Sequence, residues 1–504
     1  MCGIAGFIQR ERAPELLDAM LRRIRHRGPD GDGTWIGSFG DYHVHLGHRR
    51  LSIIDIEGGA QPMSSEDKKQ WITYNGEVYN FKELRAPLEQ RHRFASRSDT
   101  EVILHHLGDH GAKGLADLNG IFAFGLWDGR GGTLTLARDR AGVKPLYYAS
   151  LPDGGIVFAS ELSALLCHPA IPKRMCREGL LSYVFSDYAL PPWSLVDGVK
   201  KLTPAGFLTW RNGAIQGPSS FWTLRREPEP RFGSEAEAAE KLWSLLGQAV
   251  ERQMVADVPV GVFLSGGLDS SSVATLAKPK ARGRLRTFSI GFEEKSFDES
   301  GYARMVAAHI GSDHTEEIVG AKTLLDRIET VVDSLDEPLS DHSYLPTYLL
   351  SEMAAKHVKV VLGGDGGDEL WGGYPTYLAH RYASVYAALP RVFRREVIER
   401  LVAALPVSTG YQGLDWKLRR FSGRWDDDPL RRHFRWLSSV DLPELSRAVP
   451  WSHGENPPTL RAPYPDLEEG LNRLLGIDFS SYMHASVLTK VDRASMQHLS
   501  LIHI

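Results

Sequence analysis

From residue 1 to about 215, short apolar runs alternate with polar residues at a period of two and are punctuated by glycine, as in WITYNGEVYN (71–80), IFAFGLWDG (121–129) and LTLARD (134–139). That period places every second side chain on one buried face, the pattern of half-exposed strands. This half therefore predicts layered sheets with helices. The stretch RREPEPRFG (225–233) holds prolines, a glycine and charges with little to bury, and reads as a linker within 216–233. At Ser234 the period changes. Ser234 and Glu237 make a capping-box pair, and Leu242, Leu245, Leu246, Ala249 and Val250 then recur at helical spacing. Beyond it, strand runs at VGVFL (260–264), TFSIGF (287–292) and VKVVLGG (358–364) are separated by helical runs such as YARMVAAHIG (302–311), the order that builds a parallel sheet covered by helices. From about 375 onward the pattern is mostly helical. Two domains follow, 1–215 and 234–504.

Composition narrows the class. The 504 residues carry 63 acidic and 59 basic side chains, a net charge of −4, which gives no bulk reason to bind nucleic acid or an acidic membrane surface. Only Cys2, Cys167 and Cys176 occur, too few to staple a secreted chain of this length. No apolar run nears the roughly 20 residues of a membrane helix. A soluble, cytoplasmic protein is expected. Between Arg391 and Arg435, 11 basic residues face 6 acidic ones with Trp416, Trp425 and Trp436 among them; solvated helix faces with tryptophans as core anchors are the expectation there. There is no internal repeat.

Candidate chemistry begins at Cys2. Once Met1 is removed, that residue combines a thiol nucleophile with a free amine able to take its proton. In YNGE (74–77), Asn75 and Gly76 set an amide and a backbone N–H side by side, a pair of donors suited to an oxyanion. Arg50, in HRRLSIID (48–55), has the fork of donors that clamps a carboxylate, while Glu77 and Asp99 can accept from an ammonium. RHRGPDG (25–31) reads as a tight turn. Together with RLSIID, SDTEVI, LNGIFAF and RDRAGVKPLYY, these runs over about 150 residues resemble the glutaminase domain of class II glutamine amidotransferases. The resemblance implies a four-layer αββα N-terminal-nucleophile hydrolase fold. It implies that Cys2 attacks the glutamine side-chain amide, that Asn75 and Gly76 hold the oxyanion, and that Arg50, Leu51, Ser52, Ile53, Ile54, Glu77 and Asp99 bind the amino acid.

In the second domain the strand VGVFL runs into Ser265, Gly266, Gly267, Leu268, Asp269, Ser270 and Ser271 and then an apolar helix, so that backbone N–H groups and hydroxyls converge on an anion. GGDGGDELWGGY (363–374) crowds Asp365, Asp368 and Glu369 at a strand end, where open α/β sheets bind ligands. Asp269 and Asp368 are the candidates for Mg²⁺ against ATP oxygens. SGGLDSS resembles the pyrophosphate loop of ATP pyrophosphatases. With GGDGGDE, DEPLSDHS (336–343) and KVDRASM (490–496), it resembles the synthetase domain of glutamine-hydrolysing asparagine synthetases. That resemblance implies that Leu264, Ile290, Gly363 and Gly364 line the adenine and ribose site, and that Asp365 and Asp368 serve adenylation of aspartate. Glutamine, aspartate or another carboxylate acceptor, and ATP are the implied partners, with a homodimer as a further expectation. The alternatives are an amidotransferase for a cell-wall or polysaccharide carboxylate, and a glutaminase-only or partner chain.

Two departures qualify the match. Gly363 and Asp365 stand where the family pattern has serine and glutamate. After KVDRASM the pattern continues with a segment like SLEARVPFLDH and helices bearing an adenylation lysine. Here QHLSLIHI follows, so the synthetase site is expected to be C-terminally incomplete, and Lys490 is not assigned that lysine's role.

Overall fold

A computed structural model describes residues 2–225, 232–408, 413–465, 467, 470–498 and 500–503. The centre of the expected linker, 226–231, and residues 499 and 504 of the closing segment lie outside the described residues.

The first half contains β1 (Gly3–Gln9), β2 (Gly31–Phe39), β3 (Tyr42–Arg50), β4 (Met63–Ser64), β5 (Gln70–Val78), β6 (Gly120–Asp128), β7 (Thr133–Arg138), β8 (Tyr147–Ser150), β9 (Ile156–Ala159), β10 (Lys200–Lys201), β11 (Gly206–Arg211) and β12 (Ala214–Ser220). They form two antiparallel sheets, β10-β8-β9-β1-β3-β2 and β12-β11-β7-β6-β5-β4. Their inner faces meet through Ile4, Ile8, Leu46, Trp127, Leu136, Phe158 and Trp210, all buried. Helix Pro14–Arg23 covers the outside of the first sheet with Leu17, Met20 and Leu21, and helix Asp99–His110 the outside of the second with Val102, Ile103 and Leu104. The layers are helix, sheet, sheet, helix, as expected. Residues 216–220, expected in the linker, belong instead to β12. That strand is a mostly exposed edge, so burial imposes no alternation that a sequence pattern could reveal.

Ser234 Oγ accepts from the Glu237 N–H (3.2 Å), opening helix Glu235–Gln253. The glutamate reaches back one residue further than a capping box requires, accepting from the Gly233 N–H at 2.7 Å. Then β13 (Val260–Phe263), β14 (Arg286–Phe292), β15 (Asp313–Val319), β16 (Val360–Gly363) and β17 (Ser500–His503) form a parallel sheet in the order β15-β14-β13-β16-β17. In the helical region, Trp436 is buried, the Trp425 ring is met by the guanidinium groups of Arg394 and Arg432, and Trp416 is exposed. The arginines there bind tryptophan faces and local carboxylates, as Arg435 does with Asp441.

One apolar cluster belongs to both halves. Leu51, Ile53, Ile121 and Val143 of the first pack with Val262, Leu264, Met483 and Leu488 of the second.

Candidate active sites

Cys2 sits at the start of β1, the central strand of its sheet, and is 7% exposed. Its N–H donates to Asn75 Oδ1 (2.9 Å) on β5 of the facing sheet. This bond fixes the amide so that Asn75 Nδ2, buried and unpartnered, is left to donate to an oxygen bound beside the thiol. Gly76 follows on β5, where a Cβ would stand 2.1 Å from the Ile121 carbonyl of β6, so only glycine permits the strand to pass. A small, partly open pocket lies beside Cys2, lined by Arg50, Leu51, Ile53, Ile54, Gly76, Glu77 and Asp99 among others.

The polar groups of this cavity are held by the scaffold. Arg50 donates to the Asp55 and Ile56 carbonyls (2.6 and 2.8 Å). Asp99 accepts from the Tyr74 hydroxyl (2.8 Å) and the Val78 N–H (3.0 Å), and burial raises its pKa. Burial also pushes Glu77 up to about 8, with the Asp99 charge adding to the rise, and Glu77 Oε1 has no partner. An unpartnered buried carboxyl is costly until a cation arrives. Of the expected residues, Ser52 and Asn75 are not in the cavity wall: the Ser52 N–H donates to Asp30 (2.9 Å), and Asn75 lies fully buried behind Cys2, to which its Oδ1 is bound. Gln61, Tyr74, Ser98 and Thr100, not singled out in the sequence, do line it.

RHRGPDG, expected as a tight turn, is a single 3₁₀ turn at Arg25–Arg27 that runs through a bridge at Pro29 into β2 at Gly31, and Arg27 within it is completely buried behind the nucleophile. Its Nε donates to the Cys2 carbonyl at 3.2 Å.

The second site lies at the C-terminal edge of the parallel sheet. Between β13 and helix Leu268–Ala277, Ser265 Oγ and Ser270 Oγ are 2.9 Å apart, and Ser265 Oγ accepts from the Gly267 N–H (3.2 Å). Gly266 has φ +84°, and a Cβ on it would lie 2.5 Å from Tyr302 and 2.6 Å from the Ala303 nitrogen. The helix has no side-chain N-cap, and Ser271 Oγ is buried and unpartnered. Leu264, Ile290, Gly363 and Gly364 come to this edge from three adjacent strands. Leu268, the first residue of the helix, is 84% exposed.

The acidic loop abuts the phosphate loop. A Cβ on Gly364 would stand 2.9 Å from the Ser270 nitrogen, and one on Gly367 2.6 Å from the Asp269 carboxyl carbon. Burial raises the pKa of both Asp269 and Asp368, and the charges of Asp269 and Asp365 push Asp368 further. Burial brings Glu369 to about 7, although it accepts from the Tyr374 hydroxyl at 2.6 Å. Lys490 enters the same site: its Nζ donates to Ser343 Oγ (2.9 Å) and lies 3.7 Å from both Asp341 and Asp365. Burial alone would lower its pKa, but Asp365 and Asp341 raise it, so Lys490 stays charged.

Residues 1–222 match the family described as glutamine amidotransferase domain, and residues 241–500 the family described as asparagine synthase. Asparagine synthetase (glutamine-hydrolyzing) 1 of Bacillus subtilis is 32% identical over 514 residues, covering 98% of this chain and 78% of its own. A putative asparagine synthetase (glutamine-hydrolyzing) 2 of Methanocaldococcus jannaschii is 36% identical over 415 residues, 78% of this chain and 79% of its own.

Proposed function

The chain belongs to the glutamine-hydrolysing asparagine synthetase family, and from that premise we propose how its residues divide the reaction. It is a glutamine-dependent, ATP-consuming amide ligase. Glutamine, water, aspartate and ATP give glutamate, asparagine, AMP and pyrophosphate.

The observation that carries the first half-reaction is the buried, unpartnered Asn75 amide beside Cys2. Cys2 Sγ attacks the glutamine carboxamide carbon, its proton passing to the terminal amine freed by removal of Met1. Asn75 Nδ2 and the Gly76 N–H stabilise the oxyanion. Collapse expels ammonia and leaves a thioester, which water hydrolyses to glutamate. Arg50 takes the substrate α-carboxylate, and Glu77 and Asp99 take its ammonium.

In the second half, the uncapped helix start and the Ser265, Ser270 and Ser271 hydroxyls receive the β and γ phosphates. The acceptor carboxylate then attacks the exposed α-phosphorus and releases pyrophosphate. Lys490 supplies a fixed positive charge beside Asp365 where that carboxylate enters. Asp269 and Asp368 have no hydrogen-bond or ion-pair partner among the described side chains. Two such carboxylates fit Mg²⁺: Asp269 and Asp368 would hold it, and it would supply positive charge against the phosphates. Ammonia then displaces AMP from the acyl carbon. The apolar cluster shared by Leu51, Ile53, Val143, Leu264 and Leu488 offers it a dry route between the sites, which suppresses its protonation.

Cys2→Ala tests this division. Asparagine formation from glutamine should disappear while formation from added ammonium salts continues. Glutamine-supported formation by the variant would refute the nucleophile. Among carboxylates screened by ATP–pyrophosphate exchange, aspartate should be the strongest; a stronger response to a sugar or cell-wall carboxylate would overturn the acceptor.

A further inference from the structure

Asp492 belongs to helix Leu488–Met496 of the synthetase half, yet its carboxylate serves the glutaminase half. It is 2% exposed and takes both arms of the Arg27 guanidinium, Nη1 to Oδ2 at 2.8 Å and Nη2 to Oδ1 at 3.0 Å. Lys144 Nζ is bound to the same carboxylate at 3.0 Å. Arg27 Nη1 also contacts Glu161 (2.9 Å), and its remaining donor, Nε, binds the Cys2 carbonyl (3.2 Å). A guanidinium is planar and rigid, so fixing two of its edges fixes the third. The Cys2 backbone is thus held on one side by Arg27 and on the other by Asn75, the oxyanion donor. Two residues before Asp492 on the same helix, Lys490 faces Asp365 in the nucleotide site.

We propose that Asp492 is a positioning residue for glutamine hydrolysis. Standing in the synthetase domain, it orients Arg27, and through Arg27 it sets the thiol of Cys2 against the Asn75 amide. The two halves must be docked for the nucleophile to be in register. The inference rests on the reading of Cys2 as nucleophile.

A carboxylate that only glues two domains affects stability; one that places a nucleophile affects the chemical step. In the full chain, Asp492→Asn keeps the side-chain shape and removes the charge. Its kcat for glutamine hydrolysis should fall about tenfold or more, since small misplacements of reacting groups are that costly. KM for glutamine should stay within about twofold, the mark of a contact that matters in the transition state. Alkylation of Cys2 by iodoacetamide, followed by mass spectrometry of the N-terminal peptide, should slow in parallel. On an Arg27→Gln background, Asp492→Asn should cost little more, because the two residues act in series. If Asp492→Asn does not fold by circular dichroism, Asp492→Glu, which keeps the charge and shifts it by one methylene, should show the same loss in kcat and alkylation. Unchanged kcat and alkylation in the folded variant, or additive losses with Arg27→Gln, would overturn the inference. Hydrolysis persisting in Cys2→Ala would instead overturn the underlying reading.

Discussion

Asn75 and Glu77 are close neighbours on β5, yet burial gives them opposite tasks. Asn75 Nδ2 is a neutral donor already in place, so the oxyanion that forms beside it gains a hydrogen bond without reorganisation. Loss of one such donor costs roughly 10²–10³ in kcat, and Asn75→Ala should slow glutamine turnover by that amount with a smaller change in KM. Steady-state kinetics with purified chain decide it; a change confined to KM would assign Asn75 to substrate binding alone. Glu77, raised to about 8, is protonated at neutral pH in the empty pocket. Glutamine's ammonium binds the ionised form, so binding must first expel that proton. The sign follows: KM for glutamine should fall as pH rises from about 6 toward 8. In Glu77→Gln this trend should flatten while KM rises, and an equally steep KM profile in the variant would place the titration on another group.

β5, β6 and β7 fall within a residue or two of the bounds their apolar runs predict, but they are not the half-exposed strands expected: a second sheet on one side and a helix on the other bury both faces. The phosphate loop is legible through the whole string SGGLDSS, since a bare glycine turn between strand and helix is weak evidence by itself. At Gly266 the close approach of Tyr302 and Ala303 explains the residue, and its positive φ compounds the constraint. Gly266→Ala should therefore weaken ATP binding more than about tenfold through steric displacement of the loop, measured by calorimetry with a nonhydrolysable ATP analogue. Unaltered affinity would show that the loop tolerates a methyl group and does not approach the phosphates as drawn. What the sequence hid were side chains whose partners lie far along the chain. Arg27 reads as part of a turn because nothing local shows that Asp492, 465 positions later, will neutralise it. Lys490 was legible as a cation but not as a neighbour of Asp341 and Asp365, since no period relates a helix to a distant loop and a strand end. β12 escaped notice because an exposed edge strand carries no burial pattern.

At the scale of the whole molecule, the halves are joined by buried charge as well as by apolar packing. Arg493 donates to Asp336 through Nε (2.8 Å) and Nη2 (3.2 Å), and Asp336 in turn accepts from the Leu162 N–H (2.6 Å) of the first half. Glu337 accepts from the Leu195 N–H (2.6 Å) and pairs with Lys201. Such pairs add little over well-packed apolar groups, but breaking one leaves an uncompensated charge out of water. Asp336→Ala removes an acceptor from Arg493 and strands the Leu162 N–H together, at about 3–5 kcal/mol on the usual scale for a broken buried pair. A chain of two domains need not unfold in one step, so the loss should concentrate at their junction. The urea midpoint of the first transition should fall, and limited proteolysis should cut the linker sooner than in the parent chain. A single unshifted transition with unchanged proteolysis would mean that the apolar cluster around Leu51, Val143, Leu264 and Leu488 holds the domains together without help from this charge.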